Sequence, residues 1–409
     1  MDRRNFMLGT TATTAMAGLA PALVSLANAG AAQAAGSGDA SAAALAELAT
    51  TLGEIETGFI ESGRNMETPD QRAAGRYLVA NALLHGFQFW FDSDPERPVF
   101  HRWLSPNKKL LGDNPDAVYY GAVTNPSRSY RIRGNVKGAV YTSFTVEAGA
   151  HDGKLSRKVI STLNDKEFEV ASDGSYEVIV SPDPQPRNWL RLGPDAGSIT
   201  TRHYFEWKRS AAADPTLHVP IWIEPLVDPG PAPIMDDAAV AAGIRRVINF
   251  VRGLTIDFPT PQADRMPGWV SRIPNQFTGS KPGESNESIG YAAKDNVYRQ
   301  TLYKLDPNQA LVMRGRFPRC RFANVVLWNH HLQTPPYRYR RVSLNRRQIQ
   351  YEKDDSFVIV VAHRDPGVPN WIDTAGAPSG QIFWRFLLPE SEIASIQTEV
   401  VSVDSLASL

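Results

Sequence analysis

At 409 residues the chain is long enough for one large core or two ordinary ones, and 42% hydrophobic with 21% charged residues describes a globular protein. Lysines plus arginines number 43 and acidic residues 43, so no net field favours nucleic acid or an anionic membrane. Nucleic acid is therefore excluded from the expected partners.

The N-terminus reads as an address. Arg3-Arg4 precede Asn5-Phe6-Met7-Leu8 and an uncharged, Ala-rich run to about Leu26, with small residues suited to cleavage at Ala27-Asn28-Ala29 and Ala32-Gln33-Ala34. Residues 1–35 are expected to be a twin-arginine signal peptide, read by the twin-arginine translocase and removed. The alternative is an N-terminal anchor helix. No later apolar run approaches the roughly 18 residues that span a bilayer. The expectation is a soluble mature protein, periplasmic or secreted, without a membrane span. Cys320 is the only cysteine, so no intrachain disulfide exists. Its neighbours Arg319 and Arg321 favour a lowered thiol pKa, while the plainer reading is a half-buried strand residue.

A helical region is expected over 42–115. Leu45, Leu48, Leu52, Ile55 and Phe59 recur at helical spacing from Ala42 to Ile60. A second helix starts at Thr68-Pro69-Asp70, with N-cap, first-turn proline and dipole-matched acid, and puts Ala73, Tyr77, Ala80, Leu84, Phe87 and Phe91 on one face. It stops at Asp92-Ser93-Asp94-Pro95.

Beyond this the chain repeats itself. Arg133-Gly134 returns as Arg314-Gly315, Leu163-Asn164 as Leu344-Asn345, and Asp173 and Ser175 as Asp354 and Ser356, all 181 residues on. After single insertions, Asp183-Pro184 and Asn188-Trp189 return as Asp365-Pro366 and Asn370-Trp371. Gly193, Gly197 and Arg202 then return as Gly376, Gly380 and Arg385. Each copy carries short β-branched or aromatic runs between turn residues. In the first these are Ser129 to Arg133, Ala139 to Val146, Glu167 to Ala171, Tyr176 to Val180 and Ile199 to Trp207. Their counterparts are Leu311 to Arg314, Arg321 to Trp328, Gln348 to Glu352, Phe357 to Ala362 and Gln381 to Leu388. The expected fold is mainly β (α+β): two related antiparallel β-sandwich or jelly-roll-like halves over 116–210 and 301–390. Between them, 211–300 reads as a Pro-rich bridge, a helix from about Asp236 to Arg252, and a long loop carrying Trp269; 391–409 reads as a tail.

Residues common to both copies point to scaffold: Asp-Pro turns, an Asn-Trp pair covering the core, glycines with turn geometry, and Arg133 and Arg314 at strand ends. Chemistry is sought where the copies differ. Trp328 stands opposite Glu147, His330 and His331 opposite Gly149 and Ala150, His363 opposite Ser181, and His203 opposite Phe386. One of His330 and His331, with His363 and Asp365, offers a ligand set for a divalent metal; ordinary hydrogen-bonded loop histidines are the alternative. Arg338 and Arg340, beside Tyr337 and Tyr339, suit a ligand's carboxylate or sulfate, or equally a charged edge strand. Arg202, Tyr204 and Glu206 alternate on one face and would form a polar wall. The carboxylates Glu147, Asp152 and Asp165 complete the inventory. No G-x-S-x-G, Gly-rich phosphate loop, H-E-x-x-H or C-x-x-C is present, and no organic cofactor is implied.

Asn114-Pro115-Asp116, Tyr119-Tyr120-Gly121, Tyr130-Arg131-Ile132-Arg133-Gly134 and Tyr141-Thr142-Ser143-Phe144 resemble bacterial proteins carrying the domain DUF1214, often accompanied by a second, DUF1254. Asp365-Pro366 through Asn370-Trp371 and Trp384-Arg385-Phe386 extend the resemblance, which covers roughly residues 70 to 390. It implies a β-rich fold and transfers no catalytic residue. The His330-His331 pair and the Arg-rich segment depart from that pattern.

The functional expectation is an exported protein that recognises a small organic or glycan ligand and, as an enzyme, acts as a hydrolase or lyase without organic cofactor. A non-catalytic binding or interaction module and a metal-assisted enzyme using the histidine cluster are the alternatives. The expected catalytic residues are His330, His331, His363 and Glu206. Trp328, Arg338, Arg340, His203 and Tyr204 are the expected substrate contacts.

Overall fold

The structure, a computed structural model, describes residues 39–62, 66–259, 266–278, 291 and 293–408. The expected signal peptide lies outside the described residues, as does much of the 259–283 loop. Residues Ser41–Leu409 make up one compact unit, which holds both copies of the repeat.

Helix α1 (Ala40–Ile55) runs into a π-helical turn, Glu56–Ile60. Helix α2 (Pro69–Phe89) opens with the expected cap: Thr68 Oγ1 accepts from Gln71 N, and the Gln71 side chain accepts from Thr68 N. Its buried face differs from the expected one. Tyr77, Leu84 and Phe87 are exposed, whereas Gly75, Leu78, Asn81, Ala82, His85, Gly86 and Phe89 are buried. Small residues win that face because a Cβ on Gly86 would lie 3.0 Å from Val247 of helix α3 (Asp237–Leu254). Close helix packing, rather than the larger apolar stripe, decides the orientation. Among the described residues no helix is long and apolar enough to cross a membrane.

The first half pairs two sheets. One has the order β1 (His101–Arg102), β2 (Ala117–Val123), β8 (Ala196–Tyr204), β4 (Tyr141–Ala148), β5 (Val159–Asn164). The other has the order β7 (Trp189–Arg191), β6 (Ser175–Ser181), β3 (Tyr130–Asn135), β9 (Ile221–Pro225). The second half repeats both. One sheet is β10 (Asn296–Lys304), β16 (Ser379–Leu387), β12 (Phe322–Trp328), β13 (Ser343–Asn345). The other is β15 (Trp371–Asp373), β14 (Phe357–Ala362), β11 (Gln309–Gly315), β17 (Gln397–Ser402). Most pairs are antiparallel, but β6–β7 and β14–β15 are parallel, one in each copy. The two similar halves are thus sandwiches, each around its own core, with residues such as Ile132, Phe144 and Val178 in one and Met313, Val325 and Ile359 in the other.

Several elements depart from the sequence reading. Residues 167–171 and 348–352 form no strand; Phe168 instead packs between Phe144 and Tyr176. Strand β9 lies within the bridge, and β17 lies in the supposed tail, where it pairs with β11. Strand β17 buries none of its residues and so carries no alternation, whereas β9 alternates over only five residues inside a Pro-rich stretch. Of the shared glycines, only Gly376 has positive φ (79°). Gly197 and Gly380 lie in strands, where a Cβ would meet the Gly149 and Trp328 carbonyl oxygens at 2.3 and 2.6 Å. The Asn-Trp pairs do act alike: Trp189 Nε1 donates to Ser181 O and Trp371 Nε1 to Ala362 O, both at 3.1 Å.

The halves exchange equivalent bonds. Asn345 Nδ2 donates to Asp116 Oδ1 at 2.9 Å, and its repeat partner Asn164 donates through Nδ2 to Asp295 Oδ2 at 3.2 Å. Such reciprocity is the mark of an isologous interface, here fused into one chain. The helices cover the outer face of the first half's larger sheet: Phe59, Leu78, Phe89, Val247 and Phe250 share a core with Tyr119, Tyr141 and Tyr204, and with Phe322 and Leu387 of the second half.

Candidate ligand-binding site

Alternation along the strands decides what the larger sheets present outside their sandwiches. On β16, Ile382, Trp384 and Phe386 enter the second core, so Phe383 and Arg385 face outward. On β8, Ile199 enters the first core, leaving Thr200, Arg202 and Tyr204 outward. These outward faces line one cavity of about 860 Å³, within the size range of small-molecule sites. Tyr119 of β2 and Tyr298 of β10 add to its walls, with Trp103, Trp269, Tyr291 and Trp328. The Leu110–Leu111–Gly112 segment and Asn249 and Gly253 of α3 also line it.

The duplication runs through this cavity. Tyr119 lies across from Arg202 in the β2–β8 register, and Tyr298 lies across from Arg385 in the β10–β16 register. The two Tyr–Arg pairs are therefore equivalent. Their surroundings are not. Arg202 donates from Nη1 to Thr145 Oγ1 at 2.6 Å and from Nη2 to the Tyr291 carbonyl at 2.8 Å, with Glu147 Oε1 4.0 Å away. Burial drives the Glu147 carboxyl up to about 7, against the opposing pull of Arg202, the Tyr291 N–H and Ser156. Arg385 donates from Nη2 to the Gly112 carbonyl at 2.8 Å, and its guanidinium sits 5.0 Å from the Trp328 ring centroid and 4.7 Å from that of Phe383. Its Nη1 is buried without a hydrogen-bond partner among the described residues.

Trp328 is held by a 2.9 Å bond from Nε1 to Asp113 O and packs on Phe383 at 4.3 Å between centroids. Gly112 makes this fit possible: its φ is 81°, and a Cβ there would lie 2.8 Å from the Trp328 ring. Burial foremost raises the Tyr119 and Tyr298 hydroxyls, the latter to about 12, so both remain neutral donors. At the rim, Lys154 is paired with Asp152 and Asp257 with Arg252, while Arg157 is exposed.

Of the residues singled out from sequence, Trp328, Tyr204, Arg202 and Trp269 line the cavity; the histidines, Glu206, Arg338 and Arg340 sit elsewhere. His330 Nε2 contacts Ser379 Oγ at 3.0 Å, and His331 packs against the Phe59 ring, with burial lowering it to about 4. Both ring nitrogens of His363 are engaged, by Thr374 Oγ1 and Leu305 O at 2.6 and 3.2 Å. Among the described residues no three of His, Cys, Asp and Glu are grouped to hold a metal ion. Asp365 turns its carboxylate to Gly367 N, as a turn residue does. His203 is fully buried between Thr142 and Thr201, and desolvation lowers it to about 3.

Glu206 lies just past β8 and is gripped by Arg346 at 2.7 and 2.9 Å, fastening the halves together rather than extending a wall with Arg202 and Tyr204. The segment around Arg338 and Arg340 forms a turn instead of a strand, following Pro335-Pro336, which remove two N–H donors. Arg338 is exposed there, and Arg340 pairs with Asp373 at 2.7 Å. Asp152 accepts locally from Lys154 N, and Asp165 accepts from Thr142 N and pairs with Arg321 of the second half at 3.4 Å. The Cys320 thiol is raised by burial, which outweighs nearby Arg346.

The residues missed from sequence are Tyr119, Tyr298 and Arg385. A signal existed: Asp116-Ala117-Val118-Tyr119 and Asp295-Asn296-Val297-Tyr298 continue the repeat upstream once two residues are dropped.

Comparison with known proteins divides the chain at the same seam. Residues 120–205 and 301–391 match the family described as "Protein of unknown function (DUF1214)". One segment lies in each half. The fold is shared with the crystal structure of an uncharacterised protein from Burkholderia cenocepacia, with a TM-score of 0.75 and 26% identity over 90% of this chain and 98% of that one. A protein from Vibrio parahaemolyticus matches at 12% identity and a TM-score of 0.47, over 80% and 99%. No curated protein matches.

Proposed function

We propose that this is an exported, soluble protein that recognises a small organic ligand in the cavity lined by both halves. The observation that supports this reading is the composition of the wall: rings from both halves surround a few convergent polar groups, the usual makeup of a small-molecule site. An enzymatic version, a hydrolase or lyase, rests on Glu147, whose side chain is fully buried behind the wall rather than lining it. Its carboxyl is held near neutrality and accepts from the backbone of the wall residue Tyr291.

Thr200 occupies in the first half the place of Phe383 in the second, so Thr200→Phe puts a ring into the cavity. A neutral aromatic probe, 2-naphthylacetamide, is expected to alter fluorescence from Trp103, Trp269 and Trp328, and to bind at least about tenfold more weakly to T200F. Absence of binding, or equal binding by T200F, would overturn the cavity as the site. The enzymatic version further requires a ligand that is consumed by the native protein and not by Glu147→Gln.

A further inference from the structure

We infer that the ligand carries a single carboxylate, anchored deep in the cavity by Arg385, with its aromatic or apolar body against Trp328 and Phe383. The inference rests on the cavity reading above and adds the chemical class of the ligand.

Its basis is the contrast between the residues that duplication preserved and those it replaced. Both copies keep an arginine at this place, opposite a tyrosine. In the first half Glu147 supplies a nearby negative charge and Thr145 a hydroxyl. At the equivalent places the second half has Trp328 and Val326, neither of which neutralises or accepts. Arg385 is only 5% exposed, and among the described residues no carboxylate approaches its guanidinium within 4.0 Å. The two acids that feel its charge are committed: Asp113 to Thr334, and Asp116 to Asn324 and Asn345.

A buried cation without a counterion is unfavourable, and stacking on two rings offsets only part of that penalty. Nη1, buried without a partner among the described residues, belongs to a residue of the cavity wall. A ligand carboxylate placed there gains a charge-assisted hydrogen bond and neutralises the site. One buried guanidinium matches one negative charge; a dianion would leave a surplus in an apolar enclosure. Exposed Arg157 at the rim favours the same sign during approach.

The test compares 2-naphthylacetate with 2-naphthylacetamide, equal in body and different in charge, by calorimetric titration of the mature full-length protein. The native protein is expected to prefer the carboxylate by at least about tenfold. Arg385→Gln is expected to lose that preference while still binding the amide, and Arg385→Lys to restore part of it. Arg338→Ala, an exposed position outside the cavity, is expected to keep it. Equal affinity of the native protein for both probes would overturn the carboxylate while leaving the cavity reading intact. A preference that persists in R385Q would overturn the role of Arg385. Failure of both probes to bind the native protein would overturn the cavity reading itself. Amide binding by R385Q reports that the variant is folded, and R385K supplies the readout should R385Q fail to fold.

Discussion

Arg202 and Arg385 occupy equivalent places in two copies of one fold, and their differing neighbours give them different work. Arg202 is built into the scaffold by Thr145, the Tyr291 carbonyl and the nearby charge of Glu147. Arg385 keeps one backbone bond and two ring faces, with a donor left over. A duplicated residue thus tells only where a side chain points. Whether it is structural or available to a ligand depends on the residues that diverged around it, chiefly Glu147 against Trp328.

The sharpest way to break that comparison is to remove each arginine in turn. Arg202→Leu strands a buried carboxylate and is expected to cost about 3–5 kcal/mol of stability at pH 8, whereas Arg385→Leu removes an uncompensated charge and should cost about 1 kcal/mol or less. Denaturant titration of the two variants measures the difference; equal losses would contradict the assignment. The reciprocal asparagines come next. Asn345→Ala loses bonds to Asp116 and Trp207 and is expected to cost about 2–3 kcal/mol, against about 1–2 for Asn164→Ala, which loses the longer bond to Asp295. The reverse order would show that the interface does not lean on the Asp116 side.

Glu147 sharpens the comparison through pH. Its folded pKa, about 7, lies above its ordinary value of 4.5, so the folded state holds the proton more tightly. Its contribution to stability therefore falls as pH rises from about 4.5 to about 7 and is flat above. Glu147→Gln should lack this fall, so that between pH 4.5 and 7.5 the native protein loses on the order of 1–3 kcal/mol relative to the variant. Parallel pH profiles would rule out a raised carboxyl. The smallest effect is expected at Arg338→Ala, an exposed turn residue, with less than about 0.5 kcal/mol in stability and no change in binding of either naphthyl probe.

The paired sandwiches were legible in the sequence because turns such as Asp-Pro and Asn-Trp recur at nearly fixed spacing and solve the same local problem twice. Strand edges were less legible: β17 buries none of its residues and leaves no alternation, and β9 is a five-residue alternation set in a Pro-rich stretch. The helix α2 face was misjudged because Gly75 and Gly86, which permit close packing, count for nothing on a hydrophobic scale. At the site, divergence between the copies led to Trp328. The same reasoning passed over Arg385, because it is shared with Arg202 and only positions where the copies differ were searched for chemistry. Its missing counterion depends on Glu147 and Trp328 occupying equivalent places beside β8 and β16, a matter of sheet order that strand spacing alone does not contain.

The most direct measurement is a crystal structure of the protein with 2-naphthylacetate bound. The account predicts the carboxylate within hydrogen-bonding distance of Arg385 Nη1 and the naphthyl ring against Trp328 and Phe383. A carboxylate resting on Arg202, or a probe bound outside the cavity, would contradict it.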